Sequence, residues 1–404
     1  MMDCYVGKKD KIQSVLISLY ISIPLLNQIS RSIFPNAYFM SLIYMAISLV
    51  IIGIIVFSTV HDNKLLITRD FFLIFMIVIV YSIFSVLSEK SIMNITSVFF
   101  YVLLPLMAGA MINIQSDIVL KTIIILSTFS MLFIDKILVI DSNGYITMGV
   151  SYIFMTPIIA ASVYLCFFYR NDISKSKKLF LAFALLQVTY FLRLFQYGSR
   201  GPLISILLCW LFMLIVKYNN QEKKIYFNKS KVGLMFVGLI IVVNQFYNIL
   251  VFINTQLTKH GISAQIIEKT IRLMAQNDAF NSRDSIYSVA FSHFWDYPVF
   301  GHGLSTFNAY TNINYPHNFL IQLLFDGGVF LFLVFMFVVI KNVRCWYKGC
   351  TANTFCLFIF LLFISVPGAL VSGDIWENER FWLFIGFLSS MNYFLKKEED
   401  ISSS

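Results

Sequence analysis

The sequence predicts an all-α polytopic membrane protein with about twelve transmembrane helices and one large periplasmic loop. Three observations predict it. The 404 residues are 58% hydrophobic and only 13% charged, whereas soluble chains run about a quarter charged. The mean hydropathy is +0.78. The apolar residues also fall in runs long enough to span hydrocarbon, roughly 20 residues each.

Taken in order, the first nine spans are expected near Ile12–Ile29, Ala37–Val60, Asp70–Ser88, Ile92–Ile112, Ile118–Ile140, Gly149–Tyr169, Lys178–Tyr197, Gly201–Lys217 and Lys231–Val251. Three more follow, near Pro316–Lys341, Thr354–Val371 and Arg380–Leu395. This divides the chain into 1–251 with nine spans, a loop over 252–315, and 316–404 with three spans and a cytoplasmic tail. Lys8, Lys9 and Lys11 precede the first apolar run, but no small-residue cleavage site follows. That run therefore reads as a first span starting in the cytoplasm, not as a cleaved signal.

With the N-terminus inside, about two-thirds of the basic residues fall in short cytoplasmic loops, as the positive-inside rule requires. The net charge of +9 is thus assigned to topology, and nucleic acid is not an expected partner. The cysteines offer no disulfide on the outer side and no zinc-ligand spacing, so no metal is expected.

The outer loops differ chemically from the inner ones. They carry Arg31, Arg193, Arg200, Arg272, Arg283 and Arg380 but few lysines. Topology has no need of arginine in particular, whereas bidentate recognition of phosphate does. The competing reading is that some of these arginines snorkel or pair with Asp and Glu. The 252–315 loop far exceeds the others in length, and loops of that length are usually functional. Inside it, Ile266, Ile267, Thr270, Ile271 and Met274 recur at helical spacing, a pattern suited to the membrane surface. A second loop helix is expected from Arg283 to about Phe294, capped by Asn281 or Ser282 and ended by Pro298 and Gly301.

Three constellations carry candidate chemistry. In Arg193-Leu-Phe-Gln-Tyr-Gly-Ser-Arg200-Gly201-Pro202, seven residues make almost two helical turns, which would put both arginines on one face. In Asn281-Ser-Arg283-Asp284-Ser-Ile-Tyr287, Arg283 falls in the first turn of the loop helix, where free N–H groups also favour an anion. In Pro316-His317-Asn318, proline suits a first helical turn. His317 would then sit at a positive helix end that keeps its imidazole neutral and able to accept a proton. Asp326, ten residues on, would lie about 15 Å into the membrane, unless Gly327-Gly328 break the segment and leave a short surface helix before the true span. Asp374, Glu377, Glu379 and Arg380 form a charged loop between the last two spans, for which two readings stand: a border of the same cavity as Asp326, or, favoured, a solvated loop.

These blocks resemble the O-antigen polymerase and O-antigen ligase family of bacterial envelope glycosyltransferases. The matching pieces are Gly198-Ser199-Arg200-Gly201, then Arg283 through Ala290 with Pro298, Gly301 and Gly303, and finally His317-Asn318 with Gln322 and Gly327. The family pattern often has Trp where Tyr287 stands and Glu where Asp326 stands. The resemblance implies a lipid-linked-sugar glycosyltransferase of the bacterial inner membrane, with both termini cytoplasmic and a periplasmic active site. Its donor and acceptor would be undecaprenyl-diphosphate-linked oligosaccharides, with no cofactor. It also implies roles for residues. Arg200 and Arg283, helped by Arg193, would bind the leaving diphosphate, and His317 would orient or deprotonate the attacking hydroxyl. Arg272, Tyr287, Asn318 and Asp326 would contact substrate. Polymerization onto a lipid-linked repeat unit is favoured over ligation to a lipid A core, and a chain-length regulator is an expected partner. The rival from another class is a lipid-linked-sugar transporter or flippase. It calls for broken or charged helices at the midplane of a pseudo-repeat, and no internal repeat is visible.

Overall fold

The computed structural model describes residues 8–34, 39–61, 68–87, 95–110, 114–138, 148–168, 175–219, 224–261, 263–276, 283–311 and 313–390. They are overwhelmingly helical. The first elements are α1 (Lys8–Ile33), α2 (Phe39–His61) and α3 (Arg69–Leu87). α4 (Ile95–Val98) and α5 (Leu104–Ala110) are joined by a π-helical turn over Phe99–Leu103. Next come α6 (Ser116–Ser130), α7 (Ile134–Ile137), α8 (Met148–Phe167), α9 (Lys175–Leu186), α10 (Val188–Tyr197) and α11 (Arg200–Ile215). An antiparallel hairpin pairs β1 (Val216–Asn219) with β2 (Lys224–Phe227). The remaining helices are α12 (Lys229–Lys259), α13 (Gln265–Ala275), α14 (Arg283–Phe294), α15 (Phe319–Gly349), α16 (Ala352–Val371) and α17 (379–390).

Among the described residues, five helices are long and apolar enough to cross a membrane. They are Asp10–Arg31, Ser116–Ile137, Gly149–Phe167, Phe319–Tyr347 and Ala352–Val371. Four shorter apolar helices accompany them, at Leu42–Ser58, Thr96–Ala110, Leu181–Tyr197 and Arg200–Ile215. The architecture is that of an all-α polytopic membrane protein. The helix expected over Lys178–Tyr197 is two pieces with a turn at Gln187, whose N–H donates to Ala184 O at 3.2 Å. The helix expected to stop at Val251 runs on to Lys259.

The chain forms two compact units. One comprises Met1–Ile21, Ser41–Val119 and Arg283–Ser404, and the other Ser22–Met40 and Leu120–Ser282. In the first, α5 and α17 approach backbone to backbone. A Cβ on Gly109 would strike the Leu383 carbonyl, and one on Gly386 would strike the Leu106 carbonyl. Small residues let apolar helices pack this closely where lipid supplies no hydrophobic drive. Polar groups at the helix ends are paired across the unit. Asn353 Oδ1 accepts from the N–H and hydroxyl of Ser116 at 2.5 and 2.8 Å. Asp70, buried, accepts from Lys341 Nζ at 2.7 Å and Asn342 Nδ2 at 3.1 Å. In hydrocarbon each such group needs a partner inside the protein.

In the second unit, Gln187 is fully engaged. Its Oε1 accepts from Ser127 at 2.9 Å, and its Nε2 donates to Thr128 Oγ1 at 3.1 Å and Phe183 O at 2.9 Å. α13 is amphipathic, as its Ile spacing predicts. Ile266 and Ile267 pack among Phe195, Leu250, Ile253 and Leu257, with Leu203 and Ile271 alongside.

Candidate functional site

The first unit builds its site on the broken start of α15. The helix covers Phe319–Gly349 but is interrupted at Gly328 (φ 63°, ψ −169°), a region open essentially to glycine alone. The break separates donors and acceptors that an unbroken helix would pair four residues apart. The segment Pro298–Gly303 takes their place. Val329 N donates to Pro298 O at 2.9 Å and Phe330 N to Val299 O at 3.0 Å. In return, His302 N donates to Phe325 O at 3.0 Å and Gly303 N to Asp326 O at 2.9 Å. The Tyr81 hydroxyl supplies Gly327 O at 2.9 Å. The sequence expectation that Gly327-Gly328 divide the segment is met, and the piece before the true span is Phe319–Gly327.

That short piece carries the site at both ends. At its start, Asn318 is the N-cap, its Oδ1 accepting from Leu320 N at 2.9 Å and Ile321 N at 3.4 Å. This corrects the placement of Pro316 in the first turn, because the side chain that satisfies free N–H groups belongs to Asn318. His317 therefore lies before the helix, in the left-handed region at φ 59°. Its ring is half-buried against Tyr315, centroids 4.5 Å apart, and its Nδ1 is buried with no partner among the described residues. Burial, and then the positive charge of Arg283, lower the His317 pKa below the ordinary 6.5. Both effects oppose a second positive charge, so the neutral, proton-accepting ring is favoured.

Arg283 opens α14, within the bounds the sequence indicated. Ile286 and Ala290 fix this helix on the α15 segment by packing with Phe307 and Phe325, and Tyr287, Tyr310 and Ile321 surround them. Arg283 is half-exposed and makes no ion pair or hydrogen bond among the described residues. Tyr287 packs beside the apolar cluster. The proposed caps Asn281 and Ser282 lie outside the described residues.

At the other end of the segment Asp326 is fully buried. Its Oδ2 accepts from Trp376 Nε1 at 2.6 Å and from Ser305 N at 3.3 Å, while Oδ1 has no partner among the described residues. Trp376 leads to Asp374, whose Oδ1 accepts from Trp376 N at 2.9 Å and from Gln322 Nε2 at 2.7 Å. Gln322 Oε1 in turn accepts from Ile375 N at 3.2 Å. Burial pushes the Asp374 pKa up to about 6, against the hydrogen bonds from Gln322 and Trp376 that favour its charged form. Reading Asp374 as part of a solvated loop is thereby corrected, since it is buried and hydrogen-bonded to α15. No local pattern marks it. The signal is long-range, through the Gln322 and Trp376 contacts. Beneath lies an apolar cavity lined by Tyr81, Leu323, Leu331, Phe335, Trp376 and Trp382.

The remaining candidates belong to the second unit. Arg193 and Arg200 do not share one helical face. α10 ends at Tyr197, and Gly198 and Ser199 are both extended before Arg200 opens α11. Gly198 is needed there because a Cβ would strike the Leu194 carbonyl. Arg193 pairs with Asp135 at 3.0 Å. Arg272 is exposed in the last turn of α13.

Apolar spans define a polytopic helical membrane protein, and Arg283 at the start of α14 and His317, its ring favoured neutral, before the broken α15 are its candidate site. Residues 183–336 match the model of a family described as O-Antigen ligase, and this match supports the resemblance to the family of O-antigen polymerases and ligases, whose members are glycosyltransferase-like enzymes. No curated protein matches the chain. The matched region contains all eight candidate residues from Arg193 to Asp326, whereas Asp374 and Trp376 lie beyond it.

Proposed function

We propose that the chain is an O-antigen polymerase of the bacterial inner membrane. It transfers a glycan from undecaprenyl diphosphate to a lipid-linked repeat unit at the periplasmic face. The observation that carries this reading is an Arg283 without an ion pair or hydrogen bond among the described residues, whose charge helps keep His317 neutral.

The acceptor hydroxyl attacks the anomeric carbon of the donor. Its proton passes to the His317 imidazole as the new glycosidic bond forms. The bond from the anomeric carbon to the phosphate oxygen breaks, and undecaprenyl diphosphate leaves with the electron pair. Arg283 meets the charge that develops on that oxygen with a rigid two-donor fork. The resemblance extends the phosphate role to Arg200. Asn318 uses Oδ1 as a helix cap, so only its Nδ2 is left for substrate. Ligation to a lipid A core uses the same donor chemistry and is the second reading, favoured by the description of the matched family.

A gel of envelope glycolipids from a strain lacking this gene separates the readings. A core bearing one repeat unit supports polymerization. A bare core, with long polymer left on undecaprenyl diphosphate, supports ligation. An unchanged ladder rejects both.

A further inference from the structure

Phe291, Trp295, Tyr297, Val299 and Phe300 form a run of exposed large apolar side chains at the end of α14 and in the turn after it. Trp295 is 75% exposed and Phe300 61%. Five such side chains exposed together mark a surface that meets something apolar. His293 Nδ1 and Asp296 Oδ2 pair with each other at 3.0 Å on the same stretch, giving the patch a polar edge.

What the patch meets follows from its neighbours. The Phe300 ring lies 5.7 Å from Phe330, and Pro298 and Val299 accept hydrogen bonds from Val329 and Phe330. Val329, Phe330, Leu333, Phe337 and Ile340 are themselves exposed along one flank of α15, where an apolar span faces lipid. The patch is thus continuous with a lipid-facing flank. Its depth is set by the break at Gly328. From Val329 to Gly349 the helix runs for ~30 Å at 1.5 Å per residue, about the thickness of the hydrocarbon core. Val329, and with it Pro298–Phe300, therefore lies at the hydrocarbon boundary. Trp and Tyr are enriched at that level, where an apolar ring and a polar edge are both accommodated.

We infer that Phe291–Phe300 is an interfacial anchor, seated in the headgroup–acyl boundary of the leaflet at which α15 begins. Tyr297 packs on His302 at 5.0 Å, and His302 stacks on Phe325 at 4.3 Å, so this part of the patch is backed by the α15 segment. Because α14 is about 18 Å long, the anchor holds Arg283 within that distance of the boundary. The inference is independent of whether the chain transfers sugars.

The test uses the full chain in phosphatidylcholine vesicles whose acyl chains carry bromine near the carboxyl end or near the methyl end. Trp295 emission is taken as the difference between the natural chain and Trp295→Phe, which subtracts the other four tryptophans, the half-buried Trp210 and the buried Trp346, Trp376 and Trp382. The expected result is at least a two-fold quench of that component by the shallow bromines, less by the deep ones, and none by aqueous iodide. A second chain, Trp295→Phe with Val299→Trp, moves the reporter along the patch and should give the same order. Quenching by iodide instead of bromolipid overturns the anchor, because the patch then faces water. Quenching by neither also overturns it, because the patch is then covered by protein.

Discussion

Trp376 and Asp326, fifty residues apart, are joined by a 2.6 Å hydrogen bond from the indole Nε1 to a fully buried carboxyl oxygen. This contact fastens the loop between α16 and α17 to the broken start of α15. Trp376→Phe keeps most of the packing but leaves Oδ2 with only the 3.3 Å contact from Ser305 N. A buried acceptor that loses its donor costs about 1–3 kcal/mol, whereas removing both partners can be nearly neutral. Trp376→Phe should therefore lower the thermal unfolding midpoint in detergent, and Trp376→Phe with Asp326→Leu should recover part of the loss. If the double variant loses the sum of the two single effects, the bond does not couple these residues.

The same pair shows what local sequence reveals. Asp326 stood out as a carboxylate in an apolar run, and the adjacent glycines announced the break, because burial cost and glycine conformation are local signals. Trp376 did not stand out, and Asp374 was read more readily as solvated than as bordering the Asp326 cavity, because their burial depends on Gln322 and Asp326 far along the chain. The bounds of α14 were legible from Arg283, Pro298 and the apolar spacing between them. The cap of α15 was misplaced because both Pro316 and Asn318 are good starting signals, and only the structure shows which satisfies the free N–H groups. The α12 end was missed because Asn254 and Gln256 look like loop residues yet continue the helix.

The glycines at the break are the next point of test. At Gly328 a Cβ would strike the Val299 carbonyl, and at Gly301 one would strike the Asp326 carbonyl, both at positive φ. Gly328→Ala and Gly301→Ala should each cost at least about 1–3 kcal/mol from backbone strain alone. Gly233→Ala in α12 meets nothing within 4 Å and should instead be neutral, or stabilising by up to about 1 kcal/mol. Melting curves of the three variants check this. Equal midpoints for all three would mean that the Pro298–Gly303 segment does not hold the break.

Arg283 has no partner to lose among the described residues, so its removal should leave stability nearly unchanged. Arg283→Ala should slow glycosyl transfer by about 10²–10³, the effect of removing one preorganised donor from a developing oxyanion. Arg283→Lys should recover only part of this, since a lysine keeps the charge but not the fork. In vitro transfer from a lipid-linked donor, read beside the melting midpoint, separates the roles. A midpoint that falls in step with activity would make Arg283 structural.

His317 gives a pH test with a definite sign. Its pKa is lowered from 6.5 by burial and by Arg283, and the proton-accepting form is the neutral one. Transfer should therefore persist as pH falls through 6.5 and be lost only below it. Removing the cation in Arg283→Gln relieves one of the two causes, so the residual activity of that variant should fail at a higher pH than the natural chain. The same linkage acts on stability. The unfolded chain takes up this proton first, so the contribution of His317 is present above pH 6.5 and is lost as pH falls from there through the lowered native pKa. His317→Gln removes the titrating group, and its unfolding midpoint should fall less on acidification. An acid limb that stays at one pH in both the natural and Arg283→Gln chains would assign the titration to another group. Asp374 would be the first to examine, since burial places it near 6.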